Sequence, residues 1–334
     1  METVLVTGGA GFIGSHLVAA AVRRGLRVRV LDNVGAGGLA SLAEALGIAP
    51  PARDGPGRRA ALSDVCEFVR GDVRDPAACA EACDGVSVVF HLAAQRSIPR
   101  SIADPIGALE HNAIGTMTLL LAARDAGVRR VIYASSSSVY GESPQLPSME
   151  TQRPMPISPY GLSKLAGEHA CAVCSRLYGI STISLRYFNV FGPRHDPSSP
   201  YAAVVPRFIA ALGAGDPVVV YGDGQQSRDF TYVDNVVAAN FLAMEAARGA
   251  GDTYNISGGR AVTVLALIEA LGRVIDRTPR VVHAAPRPGD IRHSLADLTA
   301  ARLELGYRPL VDFEEGLRRT VRAFAALAQT SDPA

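Results

Sequence analysis

"VTGGAGFIG", residues 6–14, sets Gly8, Gly11 and Gly14 three apart, between the apolar run "TVLVT" and the amphipathic run "FIGSHLVAAAVRR". Glycines at that spacing permit a tight strand-to-helix turn and let backbone approach a pyrophosphate lying at the positive end of the helix. Phe12 and Ile13 belong to the same turn. Many turns into helices carry glycine, so the pattern gains weight only from its neighbours in the chain. The next apolar run, "LRVRVLDN", ends at Asp32 and Asn33, about where an acid binds the 2'-hydroxyl of a dinucleotide's ribose. A carboxylate there repels a 2'-phosphate, so the expected cofactor is NAD rather than NADP.

Outward from this turn, short β-branched runs alternate with amphipathic segments: "VSVVFHLA" (86–93), "VRRVIYASS" (128–136) and "STISLRYF" (181–188). That rhythm predicts an α/β fold, a Rossmann-type doubly wound parallel sheet with helices on both faces. Gly25 and Gly127 fall where helix C-caps belong, and Pro105 opens a helical reading that continues through 106–127. Residues 47–64, rich in Pro, Gly and Arg, read as an extended surface loop. Past about residue 190 prolines cluster and short strands (217–222, 252–257, 279–284) lie between helices. The expected division is a first domain over 1–188 and a smaller C-terminal α/β lobe over 189–330, with some segments returning to the first domain.

The 334 residues are 48% hydrophobic and 19% charged, ordinary for a globular protein. Lys and Arg total 33 against 32 Asp and Glu, a net charge of +1 that gives no electrostatic footprint for nucleic acid or an anionic membrane. The N-terminus has no basic, apolar leader pattern and no long apolar run occurs, so a cytoplasmic protein is expected. Five cysteines, an odd number, read as free thiols. Cys171 and Cys174 form a lone CxxC within a helical stretch, which reads as packing, and no metal site is expected.

"SPYGLSKLAGEH", residues 158–169, places Tyr160 and Lys164 four apart, hence on one helix face. An ammonium beside a phenol favours the phenolate and lowers its pKa, which makes a general base. The pair alone occurs by chance on many helices. Upstream, however, Ser135, Ser136, Ser137 and Ser138 end a strand, where a parallel sheet's C-terminal edge faces a bound cofactor.

With these residues in view, the chain resembles the extended short-chain dehydrogenase/reductase family, and within it the nucleotide-sugar epimerases and dehydratases. "VTGGAGFIG", "GDVRD", "HLAAQ", "SSSSVYG", "SPYGLSK", "LRYFNVFGPR", "SRDFTYVDN", "YNISGG" and "RPGDIRHS" occur in the family's order across nearly the whole chain. The resemblance implies a catalytic set of Ser136, which hydrogen-bonds the reacting hydroxyl, Tyr160 as base, and Lys164, which binds the nicotinamide ribose and tunes the tyrosine. It places Asp72 and Val73 near the adenine, although an aspartate there equally suits a turn cap. Leu92, Ala93 and Ala94 lie along the cofactor, Arg96 near the phosphates, and Asn112 and Tyr187 beside the cofactor site. For a UDP-sugar it implies Ser97, Ser136, Ser137, Ser138, Asn189, Ala203, Val204, Tyr221 and Ser294. Arg228 and Arg287 would clamp the diphosphate, and Asp290 would contact the nucleotide's ribose.

Dehydratases and glucuronate decarboxylases of this family carry an acid just after the Ser136 position, where this chain has Ser137 and Ser138. The expectation is therefore a UDP-sugar 4-epimerase working through a transient 4-keto intermediate. Ser294, small where epimerases restricted to UDP-glucose and UDP-galactose carry tyrosine, leaves room for an N-acetyl group, so the resemblance is strongest to UDP-N-acetylglucosamine and UDP-glucose 4-epimerases. The alternatives are a UDP-glucuronate 4-epimerase, an NDP-sugar 4,6-dehydratase and, in another class, a non-catalytic NAD(H) sensor. A homodimer through segments 105–125 and 158–178 is implied as well.

Overall fold

Val4 and Val6 of strand β1 (Thr3–Thr7) point to one side and Leu5 to the other, and both sides are covered. On one side lie Leu17 and Val18 of helix α1 (Phe12–Arg23); on the other lie residues from helices later in the chain. The structure is a computed structural model that describes residues 1–34, 39–49, 59–143, 145–195, 204–248, 250–286 and 291–330.

The main sheet continues with β2 (Arg27–Asp32), β3 (Arg59–Ser63), β4 (Cys66–Arg70), β5 (Val88–His91), β6 (Arg130–Ser136) and β7 (Ser181–Tyr187). Its order is Ala250–Ile256, β7, β6, β5, β1, β2, β4, β3, and every pairing is parallel except β3 with β4. From β1 the chain runs outward through β2 and β4, then returns to β5 on the other side of β1. The crevice at the C-terminal ends of β1 and β5 is therefore a topological switch point, where α/β sheets bind ligands.

Helices α2 (Ala40–Leu46), α3 (Pro76–Cys83), α4 (Ile98–Ala103), α5 (Pro105–Leu109), α6 (Gly115–Asp125), α7 (Pro159–Tyr178), α8 (Val204–Ala214) and α9 (Val233–Glu245) follow in chain order. Leu119 and Leu120 of α6 and Cys171 of α7 share a core with Leu5, while Val236 and Phe241 of α9 join the side of Val4. Each such fully buried aliphatic or aromatic side chain contributes about 1.5–3 kcal/mol relative to exposure. A third core, in the C-terminal half, gathers Phe208 and Ile209 of α8 with Val218, Val220, Phe230 and Leu267. There, short strand pairs join Val218–Tyr221 to Val281–Ala284 and Ser227–Asp229 to Ala261–Thr263.

One reading of local sequence is corrected and two gain detail. The stretch 47–64 is not loop throughout: Gly47 caps α2 with φ 65°, and Arg59–Ser63 forms the antiparallel edge strand β3, while 50–58 lie outside the described residues. The strand read at 252–257 is found as Ala250–Ile256, and it pairs with β7 at the edge of the main sheet. The helix expected over 106–127 is continuous over 105–125, with Glu110–Ile114 as a π-helical turn between α5 and α6. Gly25 and Gly127 do follow helices, with φ of 77° and 71°.

Candidate active site

Gly8 adopts φ 70°, and a Cβ there would lie 2.7 Å from the Ala93 amide nitrogen; one on Gly14 would lie 2.1 Å from the Gly8 carbonyl oxygen. Only glycine lets the turn after β1 close onto α1 and onto Leu92 and Ala93 after β5. Thr7 Oγ1 accepts a hydrogen bond from the Ala93 amide at 3.2 Å and holds the two strand ends together. Gly11, the α1 N-cap, offers no side chain to the first-turn amides, which remain for an anion. The Phe12 ring stacks on His195 at 4.3 Å between centroids, and Ile13 packs against two of the cores.

At the end of β2 the Asp32 carboxylate accepts from the amides of Ala10 at 3.0 Å and Val34 at 2.8 Å. Burial raises its pKa against those two bonds. Each carboxylate oxygen keeps a further lone pair for a ribose hydroxyl. Asp72 accepts from the Arg74 guanidinium at 3.0 Å and amide at 2.9 Å, and from Asn33 Nδ2 at 3.2 Å. Arg74 chiefly holds that carboxyl low, at about 2. Asp72 thus organises its own turn while Val73 is buried below it. A cradle a Cβ would fill, open first-turn amides and a carboxylate at the end of β2 fit a dinucleotide.

Three consecutive residues of β6 meet α7. Lys164 Nζ donates to the Ala134 carbonyl at 2.7 Å, Ser135 Oγ donates to Glu168 Oε1 at 2.5 Å, and the Ser136 hydroxyl acts on the Tyr160 phenol, opposing the rise of its pKa. Ser136 Oγ also accepts from the Ser138 amide at 3.2 Å and so caps the 3-10 turn Ser137–Tyr140. Ser158 caps α7 by accepting from the Gly161 amide. The expectation that Lys164 depresses the Tyr160 pKa is corrected: burial raises it, and the groups that oppose burial are Ser136 and the Arg96 guanidinium. Lys164 is instead engaged with Ala134 and the Tyr133 ring, 4.9 Å from its Nζ.

The π-helical turn carries Asn112 into this site. Its Oδ1 accepts from the Gln95 amide at 2.7 Å, and its Nδ2 donates to the Gln95 carbonyl at 3.0 Å and to Ser163 Oγ at 2.8 Å. One buried side chain thus ties the β5 exit, which bears Ala94, Gln95 and Arg96, to α7. Arg96 is exposed and its Nη1 lies 3.2 Å from His195 Nε2. Ser97 caps α4 by accepting from the Arg100 amide. Tyr187 sits elsewhere than expected for a cofactor contact: its ring is buried and its hydroxyl donates to Asn240 Oδ1 at 3.2 Å on α9.

A cavity of about 280 Å³ opens beside this edge, lined by Asn189, Val204, Tyr221 and Arg228 among others. Asn189 holds φ 33°, and its Nδ2 donates to the Asp229 carbonyl and to Ser294 Oγ, each at 3.2 Å. Arg228 donates to the carbonyls of Ser227 and Arg292. Ala203, Arg287 and Asp290 lie outside the described residues. Sequence reading passed over Arg207 and Gln226 in this wall, and His195. Arg207 follows Val204 by three, so helical spacing on α8 was a usable signal; His195 reaches the site through contacts with Arg96 and Phe12, both far from it in sequence.

A doubly wound dinucleotide fold with Ser, Tyr and Lys at its C-terminal edge defines a class of nicotinamide-dependent enzymes. The chain belongs to the NAD dependent epimerase/dehydratase family, whose pattern matches residues 4–257. It is 37% identical to a UDP-glucose 4-epimerase of Mycolicibacterium smegmatis, over 97% of this chain and 99% of the relative. Among solved structures, a UDP-N-acetylglucosamine 4-epimerase of Methanobrevibacter ruminantium M1 in complex with UDP-N-acetylmuramic acid is 37% identical, with TM-score 0.88 over 98% of this chain and 99% of the other. A Thermus thermophilus UDP-glucose 4-epimerase in complex with NAD is 36% identical, with TM-score 0.84 over 97% and 99%.

Proposed function

We propose that the protein is an NAD-dependent 4-epimerase of UDP-sugars, interconverting UDP-N-acetylglucosamine with UDP-N-acetylgalactosamine, UDP-glucose with UDP-galactose, or both. The observation that carries this reading is the meeting of Ser136 at the end of β6 with Tyr160 and Lys164 of α7, at the sheet edge next to the glycine cradle. Tyr160, as phenolate, takes the proton of the sugar 4-hydroxyl, and Ser136 orients that hydroxyl. NAD, when bound, accepts the C4 hydride and returns it, so net oxidation is nil. Asp32 suits its ribose and the turn Gly8–Gly14 its pyrophosphate. Arg228, with Arg287, suits the UDP diphosphate and retains the nucleotide while the 4-keto sugar turns over to present its other face. Tyr160 then returns the proton.

Ser137 and Ser138 supply no carboxyl for the second proton transfer of a 4,6-dehydration, and a pure NAD(H) sensor has no need of Tyr160 as base. A second reading, 4-epimerisation of UDP-glucuronate, is favoured by the exposed Arg96, a guanidinium suited to a carboxylate and close enough to act on Tyr160. The residues beyond 189 serve mainly as the nucleotide-sugar lobe in this reading. Five free, buried thiols support a cytoplasmic setting. Ile106, Ile114, Leu162, Val173 and Leu177, exposed on the helices over 105–125 and 158–178, support a homodimer.

The test incubates purified protein without added NAD with UDP-N-acetylglucosamine, UDP-glucose or UDP-glucuronate, and resolves products by chromatography and proton NMR. Conversion to the matching 4-epimer is expected, and relative rates name the sugar. No conversion even with NAD supplied would remove the reading, and a 4-keto-6-deoxy product would replace it with dehydration.

A further inference from the structure

Lys164 is the only lysine in the chain; every other residue of the 33 Lys and Arg is arginine. Arginine keeps its charge at any pH the protein meets, whereas a buried lysine gives up its proton readily. The single exception thus falls at the candidate active site, at a side chain 3% exposed.

The surroundings of its ammonium offer little support for charge. From β6 come the Ala134 carbonyl and the Tyr133 ring. From β5 comes His91, hydrogen-bonded to Thr7 and Thr116 and held neutral, with its pKa at about 3, by burial and by Lys164 itself. On α7 itself, burial pushes the Tyr160 phenol and the Cys171 thiol upward, so both remain protonated in this structure. The remaining group is Glu168, one turn beyond Lys164. Its carboxylate is 6% exposed and accepts from Ser135 Oγ at 2.5 Å, Arg186 Nε at 2.9 Å and Arg186 Nη2 at 2.7 Å. Arg186, on β7, stands over the Tyr140 ring at 4.7 Å. Burial lowers Lys164 to about 8, and Cys171 and Glu168 act against that fall; with the thiol held neutral by its own burial, Glu168 is the charge that remains.

We propose that Glu168 is a positioning residue for the reaction: clamped by Arg186 and Ser135 on the face that carries Tyr160 and Lys164, its carboxylate keeps the chain's only lysine charged. The proposal rests on the epimerase reading for its purpose, since a charged Lys164 is the donor that reading gives to the nicotinamide ribose of NAD. It does not rest on that reading for its test.

Protein grown on [ε-13C]lysine and saturated with NAD carries one lysine side-chain resonance, whose pH titration reports Lys164 without substrate. In E168Q the midpoint is expected to fall by about one pH unit, the scale for an opposite charge a few ångströms away. E168D, which keeps the charge, is expected to stay near the parent protein. The double variant E168Q/R186M leaves no buried charge unpaired and, because it removes a cation together with the carboxylate, is expected to fall by less than E168Q. The alkaline limb of kcat/KM is expected to move with the midpoint. An unmoved midpoint in folded E168Q overturns the proposal, as does a double variant whose midpoint lies at or above the parent's; loss of the fold in both does so too, and would make Glu168 a scaffold residue only. Failure of the epimerase reading has a different signature: the expected titration shift in a protein that turns over no UDP-sugar.

Discussion

Tyr160 is partly buried and has its pKa raised by burial; the groups that oppose burial are the Ser136 hydroxyl and the Arg96 guanidinium rather than the lysine one turn away. Replacing it with Phe removes only the phenolic oxygen. Tyr160→Phe is therefore expected to lower kcat by about 10²–10⁴-fold, as loss of a general base does, while NAD released on denaturation stays at the parent content. Activity within a few fold of the parent would remove Tyr160 from the reaction. The residue types of this site were legible because few residues do proton chemistry and their four-residue spacing fixes a shared face. Its electrostatics were not: Glu168 and Arg186 lie 18 residues apart in sequence and meet because α7 packs over β6 and β7.

The π-helical turn Glu110–Ile114 shows what an element adds. Periodicity read 106–127 as one helix, and a single extra residue in the hydrogen-bond ladder leaves almost no trace in an apolar pattern. Yet that insertion lets Asn112 satisfy both backbone groups of Gln95. Asn112→Leu leaves a buried amide and a buried carbonyl without partners, which costs about 1–3 kcal/mol for each unsatisfied group. A fall of that size or larger is expected in the urea unfolding free energy, together with weaker NAD retention. A stability equal to the parent's would mean that Gln95 finds other partners. The edge strand β3 was missed for a different reason: the Pro and Gly residues preceding it dominate the local composition, while its pairing with β4 is decided by the neighbour and not by its own sequence.

For the whole molecule, the exposed apolar side chains on the helices over 105–125 and 158–178 are the feature a lone chain does not explain. Ile106 is 65% and Leu177 69% exposed. If two copies pair there, arginines at Val173 and Leu177 place charge in the interface without touching Tyr160 or Lys164. The parent protein is expected to sediment as a dimer and V173R/L177R as a monomer; a parent that sediments as a monomer would end the dimer reading. The sequence by itself determined the doubly wound fold, since alternating strand and helix periods leave few right-handed topologies, and the glycine turn, since Gly8 has no room for a side chain. Only the tertiary structure decided where residues 250–256 go, because a strand of seven residues is equally apolar in a lobe or at a sheet edge. It also decided the charge environment of Lys164, because burial and the approach of Glu168 are properties of packed elements, and no local pattern records them.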